Sequence, residues 1–316
     1  MFVRNSLAIT LSSFKSGAVL APALAVTLCA CTPFNYIESD APKPLASVPV
    51  FEPKPRIALV LGAGGPRGYA HIGVMRVLEQ ACINVDLIVG TSVGSLLGTF
   101  WASGLSATQI DALSTQGGPL TLFDPSLFAD RGWIHGQKLQ DFVNRELGGK
   151  KLEELPRKVI VVATQREEKS TRYFVSGNTG VAVRASSAVP GIISPVGING
   201  TEYEDGDVTA PLAVSAARAA GAEFVIAVNV YPKTSSIPTD ASDRSREQVE
   251  RRASQTASEM ALADFAIHAE TPFKAGPNTE FFKTSREIGE KVAASKIHEL
   301  LAALEQRQIG LGSGCS

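Results

Sequence analysis

The chain has 316 residues, of which 44% are apolar and 19% are charged, and its formal net charge is -1. This balance is ordinary for a globular protein that buries a sizeable core, in one large domain with appendages or in two modest domains. It gives no sign of the clustered excess of lysine and arginine that nucleic-acid binding requires, and no reason to expect a polyanionic partner.

Residues 1–30 are predicted to be a lipoprotein signal peptide. An uncharged run over 18–30 follows two basic residues and has about the length of a signal-peptide core. It is shorter than a membrane-spanning helix and is interrupted by Pro22. The run ends in Leu28-Cys29-Ala30-Cys31, which resembles a bacterial lipobox with Cys31 as the lipidated residue. An anchor helix that stays in place is the alternative.

The cysteines do not predict a disulfide framework, because two of the four lie in the first 31 residues. Cys82 follows an apolar helical pattern and is expected to pack as a small hydrophobe, while a disulfide with Cys315 stays open. Residue 32 is Thr rather than Asp, and by the lipobox resemblance this predicts an outer-membrane lipoprotein of the bacterial cell envelope, facing the periplasm or the outside.

Residues 31–55 are predicted to be a tether. They contain six prolines, and such a segment is typically extended with a solvated backbone. The globular part is expected to begin near Arg56 and to extend over 56–232.

Within 56–232, short apolar runs alternate with helical periodicity. Residues 57–61 form an apolar run that ends in glycines, which is typical of a buried parallel strand. A glycine loop and a helical pattern over 68–79 follow it. The other expected elements are strands at 85–89, 159–163, 173–175 and 224–230, and helices at 93–102, 107–113, 136–147 and 211–220. This alternation predicts an α/β fold of three layers, α/β/α, with a mostly parallel central sheet.

The chain beyond residue 232 is expected to be accessory. Residues 233–253 are rich in Ser, Thr, Pro, Asp and Arg and predict a polar linker or loop. Residues 254–316 are predicted to form a C-terminal helical segment, with helices over 254–268 and 285–304. These helices are expected to pack on the core, and a membrane-facing or partner-facing role is the alternative.

The sequence Gly90-Thr91-Ser92-Val93-Gly94 lies between a predicted strand and a predicted helix. A strand that turns sharply into a helix strains its turn residue, and the flanking Gly90 and Gly94 remove Cβ atoms that would clash. Such a turn exposes the serine Oγ beside a helix N-terminus, where partial positive charge favours a nucleophile and an oxyanion. Ser92 is therefore a candidate nucleophile, and an idle serine in a glycine-rich connection is the alternative.

The glycine-rich segment 62–68 lies between the first strand and the first helix. The backbone N–H groups of Gly64 and Gly65 can be aimed at the oxyanion that forms in acyl transfer, whereas Pro66 has no N–H. A dinucleotide-binding loop is the rival interpretation. Its glycine spacing fails, and its ribose-binding acid would be Asp86, at the start of the second strand instead of its end.

The base that would activate the serine is either a histidine or a carboxylate. Of the four histidines, only His268 and His298 follow a plausible aspartate in the order of a serine triad, and both lie in predicted helices. Asp205 ends a strand-like stretch and precedes a glycine. Burial beside the serine would raise its pKa and make it a better base.

Residues 61–104 resemble the bacterial patatin-like phospholipases. The matching motifs are the glycine-rich turn, Arg67-Gly68, His71-Ile72-Gly73-Val74, Leu78-Glu79 and Asp86-Leu87-Ile88-Val89-Gly90-Thr91-Ser92. Residues 185–191 and 194–196 resemble the segment before the family's catalytic aspartate, so the resemblance spans about 56–232. It implies a catalytic dyad of Ser92 and Asp205, an oxyanion hole at Gly64 and Gly65, and a loop supported by Arg67 and Gly68.

The resemblance implies a serine acyl hydrolase of the lipase or phospholipase type that cleaves carboxylic esters of lipids, without a cofactor or a metal. Membrane lipid or another acyl ester would be the substrate, and lipidated Cys31 would tether the enzyme to the membrane. The sequence departs from the family at Ala63, where glycine is expected, and at Asp207, where Gly or Ala is usual. A lipid-tethered binding or scaffold protein with an impaired site is the alternative.

Overall fold

The computed structural model describes residues 34–115, 122–127 and 129–311, and within them ten strands form one sheet. The strands are β1 (Asn35–Tyr36), β2 (Pro44–Leu45), β3 (Ile57–Leu61), β4 (Leu87–Thr91), β5 (Lys158–Gln165), β6 (Ser170–Phe174), β7 (Val196–Ile198), β8 (Thr201–Asp205), β9 (Phe224–Asn229) and β10 (Phe265–His268). Their order is β1-β7-β8-β5-β4-β3-β9-β10, and β6 pairs with β5 and with β2. The run from β5 through β4, β3 and β9 to β10 is parallel.

Helices cover both faces of the sheet. They are α1 (Tyr69–Gln80), α2 (Val93–Ala102), α3 (Ala107–Thr115), α4 (Gln137–Glu146), α5 (Thr179–Ser186), α6 (Val214–Ala219), α7 (Asp243–Ala261) and α8 (Thr279–Gln306). The central strands are apolar on both sides: Leu59 and Leu61 face one core, with α1, α2, α5 and α8, and Ala58 and Val60 face another, with α6. This confirms the predicted α/β fold with a mostly parallel sheet between helical layers.

Residues 34–55 differ from the extended tether that their prolines predict. β1 pairs in parallel with β7, and β2 pairs antiparallel with β6. Ala41 and Val48 are buried on the domain. Proline is tolerated in short edge strands, because it still offers its carbonyl for pairing, and the apolar residues between the prolines gain from burial.

The linker expected over 233–253 is instead a short 3-10 turn, Thr234–Ser236, followed by the first half of α7. The Ser242 side chain caps this helix by accepting from the Ser245 N–H. The polar composition belongs to a helix that is mostly exposed, since Thr256 is its one fully buried residue in the described part of the chain. Residues 265–268, expected to end a helix, form β10 and pair with β9. Among the described residues, no helix is long and apolar enough to cross a membrane.

Candidate active site

Two strand ends meet at neighbouring positions of β5. β4 runs parallel to β5 as far as the pair Thr91 and Val162, and β8 arrives from the opposite direction and ends at the pair Asp205 and Ala163. The chain can turn there because residue 206 is glycine: a Cβ at Gly206 would lie 2.5 Å from the Val162 carbonyl oxygen. The strand registers therefore place Asp205 next to Ser92, the residue that follows Thr91.

That residue, Ser92, lies at a sharp turn between β4 and α2. Its φ of 55° is in the left-handed region, which is uncommon for a residue with a side chain. The Ser186 hydroxyl accepts from its N–H at 2.9 Å and donates to the Val162 carbonyl at 2.5 Å. The Ser92 Oγ donates to Asp205 Oδ2 at 2.7 Å, and both residues are buried, at 5% and 2% exposure.

The glycines on either side of Ser92 are required by close approach of the backbone. A Cβ at Gly90 would lie 2.5 Å from the Ser95 Cα, and a Cβ at Gly94 would overlap the carbonyl group of Leu61. The turn at Ser92 is therefore packed directly against the end of β3. This contact places the glycine-rich loop that follows β3 beside Ser92.

The glycine-rich loop leads into a 3-10 turn, Gly65–Gly68. A Cβ at Gly68 would lie 2.9 Å from the Val93 Cβ, so the turn touches the residue after Ser92. Gly65 has a φ of 54°, in the region that favours glycine. Among the contacts of the described residues, the N–H groups of Gly64 and Gly65 have no hydrogen-bond partner, whereas the N–H of Ala63 donates to Pro211 at 2.8 Å. These N–H groups can donate hydrogen bonds to a ligand oxygen.

His71 and Arg67 fix the loop from behind. Burial lowers the pKa of His71 to about 4, so its ring is neutral and its Nε2–H donates to the Gly62 carbonyl at 2.8 Å. The Arg67 Nη2 donates to the Phe273 carbonyl at 2.5 Å, and its guanidinium stands over the Tyr231 ring. Arg67 thus connects the loop to the C-terminal segment.

Asp205 is an unusual carboxylate. Burial, followed by the negative charge of Asp207, raises its pKa to about 7, although the Asp207 N–H donates to its Oδ1 at 2.8 Å and opposes the shift. A carboxylate with such a pKa can accept a proton near neutral pH, which an exposed aspartate does poorly. Ser92 and Asp205 can therefore act together as nucleophile and base.

The structure gives Asp207 a partner that the sequence did not predict. Its Oδ1 accepts from the Tyr231 hydroxyl at 2.7 Å, and Arg252 of α7 donates to both carboxylate oxygens, with Nε at 3.0 and 2.9 Å. Asp207 is 8% exposed, and a buried carboxylate needs a cation nearby. In the sequence, the need for a cation beside this carboxylate is the one sign that Asp207 has a partner. It does not show which arginine of residues 233–253 is that partner.

The two histidines of the alternative triad lie elsewhere. His268 is in β10, where its Nε2 contacts the Tyr231 carbonyl at 2.8 Å, and His298 is in α8. Within the described ranges, no histidine is hydrogen-bonded to Ser92 or Asp205, and no group of three potential metal ligands is present. Cys31 lies outside the described residues.

Cys82 differs from its predicted role as a packing residue. It has a φ of 59°, is partly exposed and is disulfide-bonded. The other three cysteines of the chain all lie outside the described residues.

The chain is similar to known proteins in sequence and in structure. Residues 59–218 match the family model described as patatin-like phospholipase. An uncharacterized NTE family protein of Mycobacterium tuberculosis is 35% identical over 182 residues, which are 56% of this chain and 49% of that protein. Patatin-like phospholipase domain-containing protein 6 of Homo sapiens is 32% identical over 181 residues, 55% of this chain and 13% of that protein. The chain thus covers about half of the mycobacterial relative's length. Among solved structures, VipD from Legionella pneumophila matches with a TM-score of 0.48 and 13% identity, over 80% of this chain and 70% of that chain.

Proposed function

The chain belongs to the patatin-like phospholipase family, and on that basis we propose that it is a serine acyl hydrolase that cleaves carboxylic esters of lipids. The observation that carries the proposal is the 2.7 Å hydrogen bond from the Ser92 Oγ to Asp205, a buried carboxylate with a raised pKa. A nucleophile with an adjacent base is the arrangement that acyl transfer requires. The impaired-site alternative has no such support, because Asp207 and Ala63 leave this hydrogen bond in place.

In the proposed mechanism, Asp205 takes the proton of Ser92 as the Oγ attacks the ester carbonyl carbon. The carbonyl oxygen becomes an oxyanion, and the N–H groups of Gly64 and Gly65 donate to it. The tetrahedral intermediate collapses, the C–O bond to the alcohol breaks, and protonated Asp205 gives its proton to the departing alkoxide. Asp205 then accepts a proton from a water molecule that attacks the acyl-enzyme. The bond between the acyl carbon and the Ser92 Oγ breaks, protonated Asp205 returns its proton to the Oγ, and the fatty acid is released.

The dyad is tested by Ser92→Ala and Asp205→Asn. Each variant should reduce hydrolysis of a chromogenic fatty-acyl ester by at least about 10³-fold, because the nucleophile and its base act as a unit. A fluorophosphonate probe should label the wild type but not Ser92→Ala. Ser103→Ala and Asp141→Asn, which change the same residue types at the end of α2 and on the surface of α4, are matched controls and should retain activity. Full hydrolysis by either dyad variant would refute the mechanism.

The substrate is proposed to be a membrane lipid, and the protein to be an outer-membrane lipoprotein lipidated at Cys31. Support comes from the lipobox-like sequence before Cys31. Incubation of the purified protein with a lipid extract of its own envelope should release free fatty acids in wild type and not in Ser92→Ala. Release by both proteins would show that another activity is responsible.

A further inference from the structure

The turn after Asp205 is tied to a helix far along the chain. The Asp207 N–H donates to the Asp205 carboxylate, and the Asp207 side chain holds Arg252 of α7. We propose that the ion pair of Asp207 and Arg252 is a device that positions Asp205 and tunes its charge, so that α7 is part of the active-site machinery. The inference rests on the proposed function, in which Asp205 is the base.

The contacts of Asp207 leave it little freedom. One carboxylate oxygen accepts from the Tyr231 hydroxyl at 2.7 Å, and Arg252 Nε lies 3.0 and 2.9 Å from the two oxygens, with Arg252 Nη2 also on Oδ2. The Arg252 guanidinium stacks over the Tyr231 ring at 4.8 Å. These three hydrogen-bond donors hold the Asp207 side chain and thereby restrict the Asp207 backbone. The N–H of that backbone donates to the Asp205 carboxylate and orients it.

Other charged and titratable groups lie around this pair, and among them Arg67 interacts electrostatically with both Asp207 and Arg252. From the glycine-rich loop, Arg67 donates to Phe273 and stands 6.0 Å from the centre of the Tyr231 ring. From β10, His268 contacts the Tyr231 carbonyl and does not reach the pair. In the part of the chain that the structure describes, Arg252 is thus the one cation hydrogen-bonded to Asp207.

Tyr231 and Arg252 lie beyond residues 59–218, which match the family model, whereas Asp207 lies within them. A second carboxylate beside the base would by itself hold the base in its protonated form. Arg252 compensates for that charge, and for this reason we assign the pair a role in tuning Asp205 in addition to packing.

The two members of the pair act on Asp205 with opposite sign. The charge of Asp207 raises the pKa of Asp205, and the charge of Arg252 lowers it. Arg252→Gln removes the cation that is hydrogen-bonded to Asp207, so the acidic limb of the kcat/KM profile should move to higher pH by about one unit. Asp207→Asn removes the anion and leaves the cation, so the limb should move to lower pH. The double variant should lie between the two single variants.

The experiment measures kcat/KM for the chromogenic ester from about pH 5 to 9 on the full-length protein. Arg252→Lys keeps the charge and should keep the limb near its wild-type position, even if it lowers the rate. Arg251→Gln removes a charge from an exposed neighbour on the same helix and should leave the profile unchanged. Limbs that stay in place in both Asp207→Asn and Arg252→Gln, or that move in the same direction, would reduce the pair to a packing role and overturn the proposal.

Two further measurements keep the inference separable from the function on which it rests. Carboxyl NMR of Asp205 reports its titration without turnover, so the opposite shifts should be visible even in Ser92→Ala. If ester hydrolysis survives Ser92→Ala, the proposed function fails, whatever the NMR shifts. If Arg252→Gln does not fold, the nearly isosteric Asp207→Asn and the charge-conserving Arg252→Lys still decide the result.

Discussion

At the scale of single residues, neighbouring groups hold Ser92 and Asp205 in energetically unfavourable states. Ser92 keeps a left-handed φ, which costs about 1–3 kcal/mol and persists only where the surroundings enforce it. Here the Ser186 hydroxyl and the close contact of Gly94 with Leu61 enforce it. Asp205 is buried beside another carboxylate, which disfavours its ionised form. Both features lower the stability of the fold, and both suit the proposed nucleophilic attack by Ser92.

The raised pKa of Asp205 predicts a pH-dependent loss of stability. A group whose folded pKa, about 7, exceeds its ordinary 3.8 stabilises the fold fully below pH 3.8 and ceases to do so as the pH rises through 7. At pH 8, Asp205→Asn should therefore be more stable than wild type by up to a few kcal/mol, and the gain should shrink at pH 5. Urea unfolding of both proteins at the two pH values measures this. An equal difference at pH 5 and pH 8 would contradict it, and Ser92→Ala is the control that keeps the carboxylate.

At the scale of elements, α8 is locked to α1 by two glycines. A Cβ at Gly289 would lie 2.7 Å from the Ala70 carbonyl carbon, and a Cβ at Gly73 would lie 3.1 Å from the Gly289 carbonyl carbon. The obstacle is backbone, which cannot rotate away as a side chain can. We expect Gly289→Ala to lower the free energy of unfolding by about 1–3 kcal/mol, as overpacking does. Gly310→Ala, where a Cβ meets open space, should have little effect in the same urea titration. Equal stability of the two variants would exclude a tight helix contact.

The elements also show why part of the fold was predictable from sequence and part was not. β3 and β4 are short, apolar on both faces and adjacent to glycines, so their pattern indicates buried strands. The polar composition of α7 gives no sign of its contacts with the rest of the domain. Its residue Arg252 is identified only by its hydrogen bond to Asp207, 45 positions earlier in the sequence. β10 has four residues, Phe265 to His268, and only its pairing with β9 distinguishes it from the end of a helix. Local patterns report local structure, and tertiary pairing decides the rest.

At the scale of the whole molecule, the sheet's edges lie outside the segment that matches the family. The match over 59–218 includes β4, β5 and β8, which bring Ser92 and Asp205 together. β1 on one edge and β9 and β10 on the other lie outside it. The site itself crosses that boundary, because Arg67 binds the Phe273 carbonyl and Arg252 binds Asp207. The proximity of Ser92 and Asp205 was therefore predictable from motifs, and the residues that complete their surroundings were not.

At the scale of the whole molecule, we also expect the protein to be attached to a membrane through acylated Cys31. If Cys31 is acylated, each buried methylene adds about 0.8 kcal/mol of membrane affinity, so several chains hold the protein firmly. Phe34, three residues later in the sequence, packs against Arg184 of the domain at 3.9 Å. In a Gram-negative host, wild type should sediment with membranes and incorporate an alkyne-labelled fatty acid.

Cys31→Ser should lose both properties, because the diacylglyceryl thioether and the N-acyl amide can form only at the lipobox cysteine. Cys29→Ser is the matched control and should keep both, since Leu28 occupies the position before Cys29 that a lipobox reserves for a small residue. Label that survives in Cys31→Ser and disappears in Cys29→Ser would move the anchor. Membrane association without label in the wild type would favour an uncleaved N-terminal helix instead.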